Sequence, residues 1–176
     1  MMQMLAAGGL PVLTDGVRVA DEDNPRGYFE WERIRTLPRD PQLIGEAEGR
    51  VVKTISSLLR FLPPNRSYNV IFMRRPLGEV VASQAAMIAR RKTSGPALDR
   101  EAMVKALQTH LQEVAAWLAT QPNLRVLWIE HAELLHDPAL YAAEIIRFLG
   151  LPLNVEAMAA QMDRSLHRQM GRSQKP

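Results

Sequence analysis

Residues 68–83 read YNVIFMRRPLGEVVAS, and this stretch decides the fold. Val70, Ile71, Phe72 and Met73 form an unbroken apolar run, the pattern of a strand covered on both faces. Arg74, Arg75 and Pro76 end it. Proline lacks a backbone donor and fixes φ, so a central strand cannot run through it. Gly78-Glu79 then opens a helical pattern that continues to Arg91. A strand that carries arginine to its carboxyl end and passes directly into a helix start is where open α/β sheets bind anions.

Two further runs read as strands: Val51–Ile55, β-branched and broken only by Lys53, and Leu124–Ile129. Helical patterns separate them. Asp99 is an N-cap, and Met103, Leu107, Leu111, Val114 and Leu118 recur every three to four residues, which predicts an amphipathic helix over 99–120. Asp137-Pro138 starts the next helix, with proline at its first position, and Gly150 ends it. Met1–Ala7 reads as a helix stopped by Gly8-Gly9, Ser56–Leu62 as a short one stopped by Pro63-Pro64, and Val155–Met162 as the last. Residues 15–27 and 92–96 read as loops, and 171–176 as a frayed tail. Strands alternating with helices predict an α/β fold with a parallel sheet and helices on both faces.

The bulk properties fit this picture. A chain of 176 residues predicts one domain with a sizeable core. The net charge of +3 is spread along the chain, which favours a small anionic ligand and gives no support for nucleic-acid binding. There are no cysteines, so disulfides and thiolate metal sites are excluded. His131 and His136 lie off the four-residue spacing that aligns two ligands on a helix, and no metal is expected. No run approaches the ~18 apolar residues of a membrane span. The opening MMQMLAAGGL lacks the basic start and long apolar core of a signal peptide, so the expected location is cytoplasmic, with no membrane partner.

Arg75 and Ser83 are the first candidates for chemistry. If the helix begins near Gly78, the Ser83 hydroxyl can face back toward the strand end where Arg75 emerges. A guanidinium fork and a hydroxyl suit a phosphate, because the fork matches two phosphate oxygens at once. Arg74 is an additional basic neighbour. The competing reading is that Arg75 makes a surface ion pair and Ser83 is an ordinary helix residue. Tyr28, Phe29 and Trp31 can wall a pocket or pin the long loop onto the domain. Lys53 can reach an anion or mark a solvated edge.

RPLGEVVAS behind an apolar strand resembles the 3′-phosphate-binding segment of the PAPS-dependent sulfotransferases, with Arg75 and Ser83 matching that family's phosphate-holding arginine and serine. VLWIEHAELLHDP followed by IIRFLGLPL resembles the family's later strand, its Asp-Pro helix start and its Phe-Leu-Gly ending. NPRGYFEWE and LNVEAMAAQMDRSLHR resemble segments of bacterial members. The resemblance covers nearly the whole chain. It implies a single P-loop-like domain over 1–176, a three-layer fold with a parallel sheet between helices. It also implies PAPS (3′-phosphoadenosine 5′-phosphosulfate) as co-substrate and transfer of its sulfuryl group to a hydroxyl or amine acceptor.

The same resemblance sets a departure beside the match. The family's PRSGTS-like loop, whose amides cradle the 5′-phosphosulfate, has no counterpart in this sequence. Met1–Ala7 resembles the helix that follows it, so the expectation is either a product that starts upstream of Met1 or a shortened relative without the first strand and phosphate loop. Transfer also needs a base for the acceptor's proton. Asp15 lies where several relatives carry an acidic residue, and Glu30 in the NPRGYFEWE loop is the runner-up. His110, His131, His136 and His167 are bases without a distinguishing partner in the sequence. Rival readings remain: a nucleotide-binding remnant of the same fold without turnover, a kinase-like nucleotide enzyme, and a structural interaction protein whose 99–120 helix pairs with a partner. The second would want a Gly-Lys-Ser/Thr loop and a magnesium-holding acid after a strand, and the sequence has neither.

Overall fold

In the computed structural model, which describes residues 1–17, 27–90 and 99–162, the two most apolar runs become strands and pair with each other. β1 (Tyr68–Arg74) and β2 (Leu124–Glu130) form a parallel ladder in which Tyr68 faces Leu124 and Arg74 faces Glu130. Side chains alternate across a strand. One face therefore carries Tyr68, Val70, Phe72 and Arg74 with Leu124, Val126, Trp128 and Glu130. The other carries Ile71 and Met73 with Leu127 and Ile129.

Each face has its own core. Ile71, Met73, Leu127 and Ile129 pack with Met4 and Leu5 of α1 (Met2–Ala7), Leu134 of α4 (His131–His136), Ala142 and Ile145 of α5 (Pro138–Leu149) and Met158 of α6 (Val155–Ala159). On the opposite face Val70, Phe72 and Val126 pack against Leu59 and against Val114 and Leu118 of α3 (Arg100–Leu118). α2 (Leu77–Arg90) leaves β1 after Pro76 and packs on α3. A third cluster of Trp31, Ile34, Leu37, Leu43, Ile44 and Leu58 holds three short 3₁₀ turns, Glu32–Thr36, Pro41–Ala47 and Ser56–Phe61.

The helix ends follow their capping residues. Asp99 accepts from the Glu101 and Ala102 amides, Asp137 from Leu140 and Asn154 from Ala157. Gly150 ends α5 at φ 69°, a left-handed conformation that glycine adopts without Cβ strain.

The structure corrects the strand expected over 51–55. Only Val51 is paired there, in an isolated parallel bridge to Val12, with Leu13 N–H donating to Val51 O and Val51 N–H to Pro11 O. A β-branched run becomes a strand only where another edge lies beside it, and beyond Val51 none does. α4 and the turns at 32–36 and 41–47 are additions to the expected elements. The loop at 92–96, the tail and His167 lie outside the described residues.

α1 and α6 meet closely. The Gly8 carbonyl accepts from Asn154 N–H, and a Cβ on Gly8 would stand 2.7 Å from Met158 Cγ and 3.3 Å from Leu153 Cβ. Met158 is fully buried, so its side chain has little room to yield. Gly8→Ala is expected to destabilise the fold by about 1–3 kcal/mol through overpacking, read from denaturant titration. Gly9→Ala strains a φ of 103° but meets no atom within 4 Å, so its cost comes from the backbone alone.

Candidate functional site

β1 delivers two arginines to its carboxyl end. Arg74 lies opposite Glu130 in the ladder and places Nε 3.2 Å from Glu130 Oε1. Its guanidinium also sits 5.9 Å from the centre of the Trp128 ring, which in turn lies 4.6 Å from Phe72, centroid to centroid. Arg75 turns toward the first turn of α2, where its Nε donates to Glu79 Oε2 at 3.1 Å. This pair is the better sheltered of the two: its side chains are 29% and 17% exposed, against 57% and 41% for Arg74 and Glu130. Ser83 follows Glu79 by four residues and so lies one turn farther along the same helix face, half-buried.

These arginines line a cleft of about 2100 Å³. One wall is β1 itself and another is the segment 47–56. Leu107, His110 and Leu111 of α3 and Leu5 of α1 also line it. Arg74, Arg75, Leu77 and Val80 reach the cleft, and Ser83 does not. The structure thus brings the Arg75 guanidinium and the α2 start to the cavity and leaves Ser83 one turn behind them.

The two candidate bases are occupied elsewhere. Asp15 Oδ2 accepts from Glu32 N–H at 2.6 Å and Oδ1 from Val17 N–H at 3.1 Å. These amides, Glu32 first and then Val17, hold its carboxyl below the ordinary value of 3.8. Glu30 lies 3.5 Å from Lys53 Nζ, which also donates to Tyr28 O at 3.1 Å. Neither Asp15 nor Glu30 lines the cleft. Tyr28 and Trp31 are buried, Trp31 within the third core cluster, and none of the three aromatics of 28–31 reaches the cleft. Trp31 packs the segment after the loop into that cluster. Lys53 bridges that loop to the cleft wall.

The sequence concealed one pair that the fold assembles. Ser56 Oγ and His110 Nε2 lie 2.9 Å apart, both half-buried and both lining the cleft. Fifty-four positions separate them, so no local pattern joins them. A hydroxyl against an imidazole can pass a proton in either direction. Their pairing also ties the Ser56–Phe61 turn to α3.

No protein-family model matches the chain, and neither a curated protein nor a solved structure matches it. Among the described residues, no helix is long and apolar enough to cross a membrane.

Asp15 fixes its loop through ionisation. A carboxylate with a depressed folded pKa contributes fully above the ordinary value and loses that contribution as pH falls through the folded value. Asp15→Ala is therefore expected to raise amide exchange at Val17 and Glu32 at neutral pH. The unaltered chain should lose protection at the same two amides only on acidification below 3.8. Equal protection in the variant and the parent at neutral pH would contradict the assignment.

Proposed function

We propose that the chain is a nucleotide-binding α/β protein of the PAPS-dependent sulfotransferase type, with a three-layer, P-loop-like plan. Arg75 holds the 3′-phosphate of the nucleotide, assisted by Ser83 and flanked by Arg74. The observation that carries this reading is the delivery of Arg75 by a parallel strand to the start of α2, where it lines a cleft. There a phosphate meets a guanidinium and the positive end of the helix dipole, with the Ser83 hydroxyl farther along the same helix.

Arg75 and Glu79 form a pre-set gate. Glu79 orients the guanidinium, and a phosphate must either share the fork or displace the carboxylate. A guanidinium has five donors, so sharing is chemically open to it. The family reaction is transfer of the sulfuryl group from PAPS to a hydroxyl or amine acceptor. Binding without turnover is the alternative reading, supported by the engagement of Asp15 and Glu30 away from the cleft.

Calorimetry with 3′,5′-adenosine bisphosphate tests the proposal. Arg75→Ala is expected to weaken binding at least ten-fold, since a charge-assisted hydrogen bond contributes about 1.5–3 kcal/mol. Ser83→Ala should weaken it by a few-fold, as a neutral hydrogen bond contributes about 0.5–1.5 kcal/mol. Glu79→Gln should tighten it by removing the competing carboxylate. Unchanged affinity in Arg75→Ala would remove the clamp. Measurable sulfuryl transfer from PAPS to any phenol or amine acceptor would show that turnover survives.

A further inference from the structure

We propose that His110, reached through Ser56, is the base that takes the acceptor's proton in sulfuryl transfer; this rests on the sulfotransferase reading above. Asp15 and Glu30 do not line the cleft. Among the described residues, the carboxylates that do are Glu48 and Glu130. Each faces an arginine, with Glu48 Oε2 3.1 Å from Arg66 Nη1 and Glu130 Oε1 3.2 Å from Arg74 Nε. A proton taken up there would end an ion pair. His110 is placed differently, because its Nε2 faces a neutral hydroxyl, Ser56 Oγ, at 2.9 Å.

The surroundings suit a proton transfer. Ser56 opens the 56–61 turn and His110 sits inside α3, so regular elements hold both side chains. Leu59 of the same turn and Leu107 and Leu111 of the same helix line the cleft with them. Apolar walls keep water from competing and strengthen a hydrogen bond between the two. α3 covers the Val70–Phe72–Val126 face of the sheet. The pair is therefore held by α3 and the turn, and the edge of β1 takes no part in it.

With the imidazole proton on Nδ1, Ser56 donates to Nε2. The acceptor hydroxyl then donates to Ser56 Oγ. As the acceptor oxygen forms its bond to sulfur, the bond from sulfur to the 5′-phosphate oxygen breaks. The electron pair of that bond leaves with 3′,5′-adenosine bisphosphate. The acceptor's proton passes to Ser56 Oγ and the Ser56 proton to His110 Nε2. The imidazolium returns its proton to water once the sulfated product has left.

A purely structural tie between the turn and α3 would need the hydrogen bond and not the basic nitrogen. His110→Gln separates the two, because an amide can keep a bond to Ser56 and cannot take the proton.

The full chain is supplied with PAPS and 2-naphthol, and release of 3′,5′-adenosine bisphosphate is followed. His110→Gln and His110→Ala are expected to slow transfer by about 100-fold or more, since a general base contributes about 10²–10⁴. Their affinity for the bisphosphate should match that of the parent. Added imidazole should restore part of the rate in His110→Ala. Pentafluorophenol is ionised at neutral pH and needs no base, so with it the loss in both variants should be far smaller. Ser56→Ala should show the same contrast between the two acceptors. Full rate in His110→Gln, equal losses with the two acceptors, or no rescue by imidazole would overturn the proposal. So would a parent chain that binds the bisphosphate and transfers to neither acceptor, which would leave the nucleotide site standing. A parent chain that does not bind the bisphosphate would overturn both.

Discussion

The parallel register of β1 on β2 forces the chain between them to cross over the sheet, because parallel neighbours cannot be joined by a tight turn. Residues 75–123 make that crossover, and they carry α2 and α3. The crossover explains why α3 lies on the Val70–Phe72–Val126 face and shields it. It also explains why α2 begins where β1 ends, which puts a helix N-terminus beside Arg75. The opposite face is left for α1, α4, α5 and α6 to cover. Changing the register by one residue would exchange the two cores and put Arg74 out of reach of Glu130.

That register also sets the electrostatics where β1 ends. Among the described residues, each arginine at the end of β1 is paired with a carboxylate, Glu130 for Arg74 and Glu79 for Arg75. Exposed pairs contribute little to stability, so Arg74 can leave Glu130 at small cost. The sheltered Arg75–Glu79 pair is held within one helical turn. It keeps the guanidinium at a fixed place, which favours a ligand that meets the fork geometrically over one attracted by bulk charge.

The sequence made much of this legible, for local reasons. Asp99, Asp137-Pro138 and Gly150 mark helix ends by hydrogen bonds made within a few residues, and the structure places the helices between them. The apolar run at 70–73 was readable because burial on both faces leaves no polar alternation, and 124–129 because only Arg125 interrupts it. What local pattern could not carry is pairing. Val51–Ile55 has strand composition, yet whether it becomes a strand depends on a neighbour that no nearby residue reports. The Ser56–His110 contact is invisible for the same reason, since its two halves meet only after α3 has folded across the sheet. Asp15 read as an acid near a loop, and only the folded backbone shows both its oxygens taken by amides.

The sheet and the arginines at its end are one physical problem. An α/β sheet whose interior strands are apolar on both faces relies on backbone pairing to bury them, and β1, the strand that leads into Arg75, takes that pairing from β2. The guanidinium of Arg75 is steadied from the helix side by Glu79 and from the ladder side by the Arg74–Glu130 rung.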